Sequence, residues 1–194
     1  MPKHLFLTGP VGCGKSALLR RTLGSDLSSA GGFVTQEEYG NYGELTGLAL
    51  APATAAAGIS GFTTERFLDC SHFPPSTNNE VFRETGVRLL RETAWYPYAC
   101  LDEFGGFELI IPQFRSALYD VLDSDLPLVG TVKTEEEADA MRQALGLGNK
   151  VLTYLHELHR SLLTDPDTLL LSVDNPEDVG AYEALMAWKR EYLG

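Results

Sequence analysis

Cysteine is scarce in this 194-residue chain: Cys13, Cys70 and Cys100 are the three present, and no two form a C-x-x-C pair. Neither a zinc-ribbon site nor a disulfide framework is indicated. Long apolar runs are lacking too, since no stretch approaches the ~18 residues that would span a bilayer. Met1-Pro2-Lys3-His4 leads straight into a strand-like segment with no signal peptide ahead of it. Positive charge is the third shortage. Fifteen Lys and Arg face 27 Asp and Glu, for a net charge of −12, which argues against nucleic acid as a partner because phosphate backbones recruit basic patches. A small anionic ligand held by a local site is still allowed. Together these absences predict a reduced, cytoplasmic protein with no membrane partner, expected to act as a monomer.

Apolar residues are plentiful by contrast. They make up 44 % of the chain, with nine Phe and eight Tyr, enough for a sizeable core. The length suits a single domain over residues 1–194. Strand-like and helix-like segments alternate. His4 to Thr8 is a short apolar run, read as a buried parallel strand. Ser16 to Leu23 is helical and is closed by Gly24. Gly32 to Tyr39 and Glu44 to Leu50 flank "GNYG" and read as a β-hairpin. Ala51 to Asn79 is read mostly as loop, with a short strand around Arg66 to Leu68, before a helix over Glu80 to Glu92. Tyr98 to Glu103, Leu126 to Val132 and Thr168 to Val173 are further core strands, and Phe114 to Leu122 is a helix. Thr134 with Glu137 makes a capping box. Asn175 is expected to cap the last helix, with Pro176 at its first position. The fold class that follows is α/β, a mostly parallel sheet flanked by helices, with a β-hairpin insertion.

Between the first strand and the first helix lies Gly9-Pro10-Val11-Gly12-Cys13-Gly14-Lys15-Ser16. This is G-x-x-x-x-G-K-S, the pattern of a phosphate-binding P-loop. Its glycines let successive backbone N–H groups turn inward at the positive end of a helix. Lys15 would reach the β- and γ-phosphate oxygens, and Ser16 would offer its hydroxyl to Mg²⁺. With glycine at about 7 % of residues, a chance match is on the order of one per cent, and the strand-then-helix context lowers it further. Cys13 is read as a small residue that fits the loop rather than as a redox switch.

Hydrolysis needs more than a cradle. In "CLDEFGGFEL", Asp102 and Glu103 end an apolar strand, where such NTPases keep a metal-side carboxylate. Asp102 would hold Mg²⁺ through its water shell, and Glu103 would orient or deprotonate the attacking water. The competing description is a solvated strand end carrying two charges.

"HLFLTGPVGCGKSALL", "GGFVTQE", "LDEFGGFEL" and "VGTV" stand in the order and spacing of a family of nucleoside-triphosphatases. That family includes thermophile enzymes and the human cancer-related nucleoside-triphosphatase, and the resemblance runs from Met1 to about Val132. It implies a P-loop fold and slow Mg²⁺-dependent hydrolysis of ATP, GTP and other NTPs. Gly9 to Ser16 would be the nucleotide loop, Lys15 and Glu103 the catalytic pair, and Ser16 and Asp102 the metal residues. Glu108 falls on a family acid to which the sequence gives no role. Two departures stand out. The family's lysine in K-M-E-L is Gly106 here, and Pro176 stands where a late arginine is usual. Both remove a cation from a reaction that needs one.

Arg83, Arg88, Arg91, Arg142 and Lys133 are candidates to replace it, but each is read as a solvated surface charge and none is assigned to catalysis. "HELH" at His156 to His159 is not H-E-x-x-H and reads as a polar helix face. "GNK" at Gly148 to Lys150 does not continue as the guanine-reading N-K-x-D. Trp95, within "AWYPY", reads as packing rather than a base-stacking platform. Gly32, Phe33, Thr35 and Glu37 fit either a plain edge hairpin or a neighbour of the phosphates. The expectation is therefore a nucleoside-triphosphatase. Its rivals are a P-loop kinase acting on a small molecule or nucleic acid, and a nucleotide-regulated binding module with weak catalysis.

Overall fold

The computed structural model describes residues 1–58 and 61–194. Among the described residues, eight strands form one sheet: β1 (His4–Thr8), β2 (Ala30–Tyr39), β3 (Leu45–Pro52), β4 (Glu65–Asp69), β5 (Ser76–Thr77), β6 (Tyr98–Phe104), β7 (Leu128–Val132) and β8 (Thr168–Ser172). Their order is β5-β4-β3-β2-β6-β7-β1-β8. From β2 to β8 neighbouring strands are parallel, and β3, β4 and β5 add an antiparallel edge. The central strands are covered on both faces, which is why they read as unbroken apolar runs rather than alternating ones.

Helices lie on both faces. One core gathers Leu18, Leu19, Tyr98, Cys100 and Trp188 under α1 (Lys15–Leu23) and α7 (Val179–Tyr192). The other gathers Phe33, Phe67, Phe82, Phe107 and Phe114 under the remaining helices. Those are α2 (Asn79–Val81), α3 (Val87–Glu92), α4 (Pro112–Leu122), α5 (Glu135–Ala144) and α6 (Lys150–Thr164). The rings of Phe82 and Phe114 meet edge-on with centroids 5.1 Å apart, and truncating such a ring to alanine costs about 3–5 kcal/mol. None of the described helices is long and apolar enough to cross a membrane.

The hairpin is built into this sheet. β2 pairs with β3 as one arm and with β6 as a parallel core strand, so Phe33, paired on both sides, sits in the sheet interior, not on an edge. The Ala51 to Asn79 segment carries more order than its composition suggests. It holds the strand expected near Arg66 to Leu68, paired to β3, and a short helical turn over Ala53–Ala57. The Glu80 to Glu92 helix is present, but a π-turn at Phe82–Gly86 separates α2 from α3.

The last helix starts later than the sequence suggests. Its cap is Asp178, which accepts from Ala181 N–H, rather than Asn175. Asn175 instead accepts from Glu177 N–H in a local turn. Pro176 packs against Gly14, where a Cβ would come within 2.6 Å of the proline Cβ. The Thr134–Glu137 capping box forms in both directions.

Candidate functional site

The parallel order brings the carboxyl ends of β1, β6 and β7 side by side, with the loop after β1 curling in front of them. Gly9, Gly12 and Gly14 all have φ in the left-handed region, at 146°, 72° and 92°, which a side chain would strain. Cys13 N–H donates to Pro10 O (3.3 Å), closing the turn. Leu18 N–H donates to Gly14 O (2.8 Å), so α1 begins where the loop ends. The first N–H groups of a helix have no partner within it, and here they face a cleft. Cys13 is buried among apolar neighbours, a packing position. Val11 and Pro10 are exposed.

Lys15 does not project freely. Its Nζ donates to Gly9 O (2.6 Å), Pro10 O (3.0 Å) and Glu137 Oε1 (2.8 Å). An ammonium has three N–H groups, so all are committed, one of them to a carboxylate on the first turn of α5. Sequence gave Glu137 a capping role alone. Its two oxygens do two jobs, since Oε2 accepts from Thr134 N–H while Oε1 holds Lys15.

Asp102 lies behind Ser16, fully buried. Tyr98, Cys100 and Asp102 point to the α1 side of β6 by the two-residue alternation of a strand, which places the carboxylate under α1. Oδ1 accepts from Ser16 Oγ (2.7 Å) and Thr131 Oγ1 (2.8 Å), and Oδ2 accepts from Arg20 Nη2 (2.8 Å). A buried carboxylate is tolerated when it is paired and fully hydrogen-bonded in this way. Arg20 also donates to Thr35 O (2.8 Å), tying α1 to β2. The i, i+4 spacing of Ser16 and Arg20 puts both on one helix face. Thr131, a lone hydroxyl in an apolar strand, was the other available signal.

Glu103 breaks the alternation. Its φ is +67°, and the β6–β7 register slips by one residue between Asp102 and Phe104. Glu103 is thus the extra residue of a β-bulge. Its N–H donates to Thr131 Oγ1 (2.8 Å). A non-glycine residue in the left-handed region costs roughly 1–2 kcal/mol, and such strain concentrates at functional sites. The bulge swings the Glu103 side chain into the cleft, where Oε1 lies 3.5 Å from Ser16 Oγ and Oε2 3.5 Å from Lys133 Nζ.

Glu108 has a role the sequence withheld. Its Oε1 accepts from the N–H groups of Gly105 (2.6 Å) and Gly106 (2.7 Å), clamping the turn that follows the bulge. Burial pushes its carboxyl above the ordinary glutamate range, against the pull of those hydrogen bonds and of Lys133.

Lys133 is not the solvated surface charge its position suggests. Its side chain is 13 % exposed. Burial works against its charge, yet Glu103, Glu108 and Glu137 outweigh that and hold its ammonium above the usual lysine range. The arginines differ in kind. Arg83 and Arg88 pair with Glu80 and Glu92 on the outer helix surface, and Arg142 pairs with Asp139. Trp95 is 80 % exposed, so it does not pack as its apolar surroundings implied. It lies with Arg83, Arg88 and Arg91 on an outer face, away from the cleft. The two histidines of "HELH" part company: His159 Nε2 meets Lys133 O (2.9 Å) and His156 meets Glu135 (3.1 Å).

The cleft enclosed by these groups has a volume of about 490 Å³ and is lined by the loop, Ser16, Arg20, Thr35, Glu103 and Lys133, among others. That is the size range of small-molecule sites. The Ser16 hydroxyl and the Asp102 carboxylate, 2.7 Å apart, are hard oxygen donors of the kind Mg²⁺ takes.

A strand, a glycine loop, a helix bearing Lys-Ser and a buried aspartate on a nearby parallel strand define the P-loop class of nucleotide-binding proteins. Residues 4–165 match the model of the family described as NTPase, and the chain belongs to that family. It is similar to the nucleoside-triphosphatase THEP1 of a Thermotoga species, at 27 % identity over 177 residues, 89 % of this chain and 98 % of the relative. THEP1 of Thermotoga petrophila is likewise 27 % identical, over 91 % of this chain and 98 % of its own length. Among solved structures, THEP1 from the hyperthermophile Aquifex aeolicus superposes with a TM-score of 0.62. That match covers 96 % of this chain and 99 % of the other at 18 % identity, a likeness of fold.

Proposed function

We propose that this protein hydrolyses nucleoside triphosphates to the diphosphate and phosphate, with Mg²⁺ as cofactor. The observation that carries the reading is the convergence of Lys15, Ser16 and Glu103 on one cleft, with Asp102 buried directly behind Ser16 and Glu103 turned out by a strained bulge. Family membership and the two THEP1 relatives support the same reaction.

Backbone N–H groups of Gly9 to Ser16 would bind the phosphate chain, and Lys15 would meet its outer oxygens by releasing Glu137. Ser16 and Asp102 would hold Mg²⁺, which when bound supplies charge neutralisation at the phosphate oxygens. Arg20 and Thr131 hold the Asp102 carboxylate in place through their hydrogen bonds. Glu103 orients a water molecule and takes one of its protons as the water oxygen bonds to the γ-phosphorus. The bond from that phosphorus to the bridging oxygen breaks, and its electron pair leaves on the diphosphate. Catalysis of this kind is chiefly positioning and electrostatics.

The strands nearest the two chain ends, β1 and β8, pair side by side at the loop, which supports a single catalytic domain. Phosphate release from ATP, GTP, CTP and UTP, with and without Mg²⁺, tests the reading. Metal-dependent release is the expected result. Transfer of the γ-phosphoryl group to an acceptor other than water would replace it with a kinase.

A further inference from the structure

The cation that the hydrolytic reading requires is missing at Gly106 and Pro176, the two positions where the family resemblance implies one. At Pro176 the reason is local, because the ring fills the space against Gly14. At Gly106 the space is filled from elsewhere. A Cβ built on Gly106 would meet Glu108 Oε2 at 2.9 Å, then Lys133 Cε at 3.3 Å and Cδ at 3.4 Å. The Glu108 carboxylate and the stem of Lys133 together therefore occupy the volume that a side chain at residue 106 would enter.

The backbone of Lys133 is fixed on two sides. Its N–H donates to Phe104 O (2.8 Å), and its carbonyl faces His159 Nε2 (2.9 Å). The ammonium is delivered to the same cleft as the phosphate loop, beside the carboxylate of Glu103. Lys15 and Lys133 then contrast sharply. Lys15 has all its donors committed at 2.6 to 3.0 Å, whereas among the described residues the Lys133 ammonium donates to Glu103 alone, at 3.5 Å. A buried ammonium with loosely held donors, next to the residue that handles the water, is suited to take on negative charge as it develops.

We propose that Lys133 supplies the missing cation, contacting the γ-phosphoryl oxygens during hydrolysis and so replacing, from the end of β7, the lysine that Gly106 lacks. At rest the same ammonium tethers Glu103. When phosphoryl charge builds up, the remaining N–H groups meet it while Glu103 stays aligned on the water. This rests on the hydrolytic reading above and adds to it the residue that carries the transition-state charge.

The test compares wild type with Lys133→Met, Lys133→Ala and the double variant Lys133→Ala/Gly106→Lys. It reads kcat and KM for Mg²⁺-ATP, affinity for ADP alone and for ADP with tetrafluoroaluminate, and Tm. Removing one transition-state donor costs about 10²–10³-fold, so kcat of Lys133→Met is expected to fall by that factor with KM within threefold. Affinity for ADP–tetrafluoroaluminate should fall in parallel while that for ADP holds. Lysine returned at residue 106 should recover at least tenfold of the kcat lost in Lys133→Ala. An unchanged kcat in Lys133→Met overturns the assignment, and so does a parallel loss of ADP affinity, Tm and kcat that the double variant leaves unrepaired. Should wild type bind ATP yet release no phosphate, the hydrolytic reading fails. The tetrafluoroaluminate comparison would still decide whether Lys133 meets the γ-site.

Discussion

The two walls of the cleft hold their charges by different means. The loop wall is contiguous, eight residues in which glycine conformations and a helix terminus make an anion site from main chain. The opposite wall is assembled from side chains far apart in sequence, Glu103 on β6, Lys133 just beyond β7 and Glu137 on α5, with Asp102 and Thr131 buried behind it. On the proposed reading the loop would bind the phosphate chain and the facing wall would act on it. In the loop a substitution acts through the strained glycine backbone or the Lys15 charge, while in the facing wall each one unpairs a side chain, so the two should respond differently to mutation.

The largest effect is expected at the base. Glu103→Gln should lower kcat by about 10²–10⁴-fold, the usual contribution of a general base, with nucleotide affinity intact by calorimetry. Unaltered turnover would move water activation elsewhere. Lys15→Ala should weaken triphosphate binding by about 10²-fold, as expected from losing charge-assisted hydrogen bonds. If it instead lowered kcat alone, the division of labour between the walls would be wrong.

Glu137→Gln tests the contact between the walls. It releases Lys15 from a carboxylate at 2.8 Å, and ATP should bind several-fold tighter, up to about tenfold for 1.4 kcal/mol. Weaker binding would show that Glu137 positions Lys15 rather than competing for it. The smallest effect concerns Glu108. Burial raises its carboxyl above the usual 4.5, so the folded chain holds this proton more tightly than the unfolded one. The stability it contributes is complete below that usual value and is lost as pH rises through the raised one. Glu108→Gln should therefore gain in Tm relative to wild type as pH goes from 4 to 7. A constant gap would mean that the hydrogen bonds from Gly105 and Gly106 cancel the burial.

The same contrast explains what was legible in the sequence. The loop was readable because its chemistry lies within eight consecutive residues, and β1, β6 and β7 because buried parallel strands are simple apolar runs. Asp102 and Glu103 were readable as a pair, but not their division between a regular strand position and a bulge, since the extra residue shows only against the register of β7. Lys133 was misread as a surface charge because its partners, Glu103, Glu108 and Glu137, reach it through tertiary contact alone. The start of α7 was misplaced because Asn175-Pro176 is a good helix opening locally, while packing of Pro176 on Gly14 gives that dipeptide other work.

The grip of Gly9 O, Pro10 O and Glu137 on Lys15 has one more consequence. A phosphate tail arriving at this loop performs an anion exchange, with a carboxylate departing as the polyphosphate enters. Glu137 belongs to the opening turn of α5 and α5 rests on α6, so release of Lys15 would loosen the tie between the loop and that helical pair.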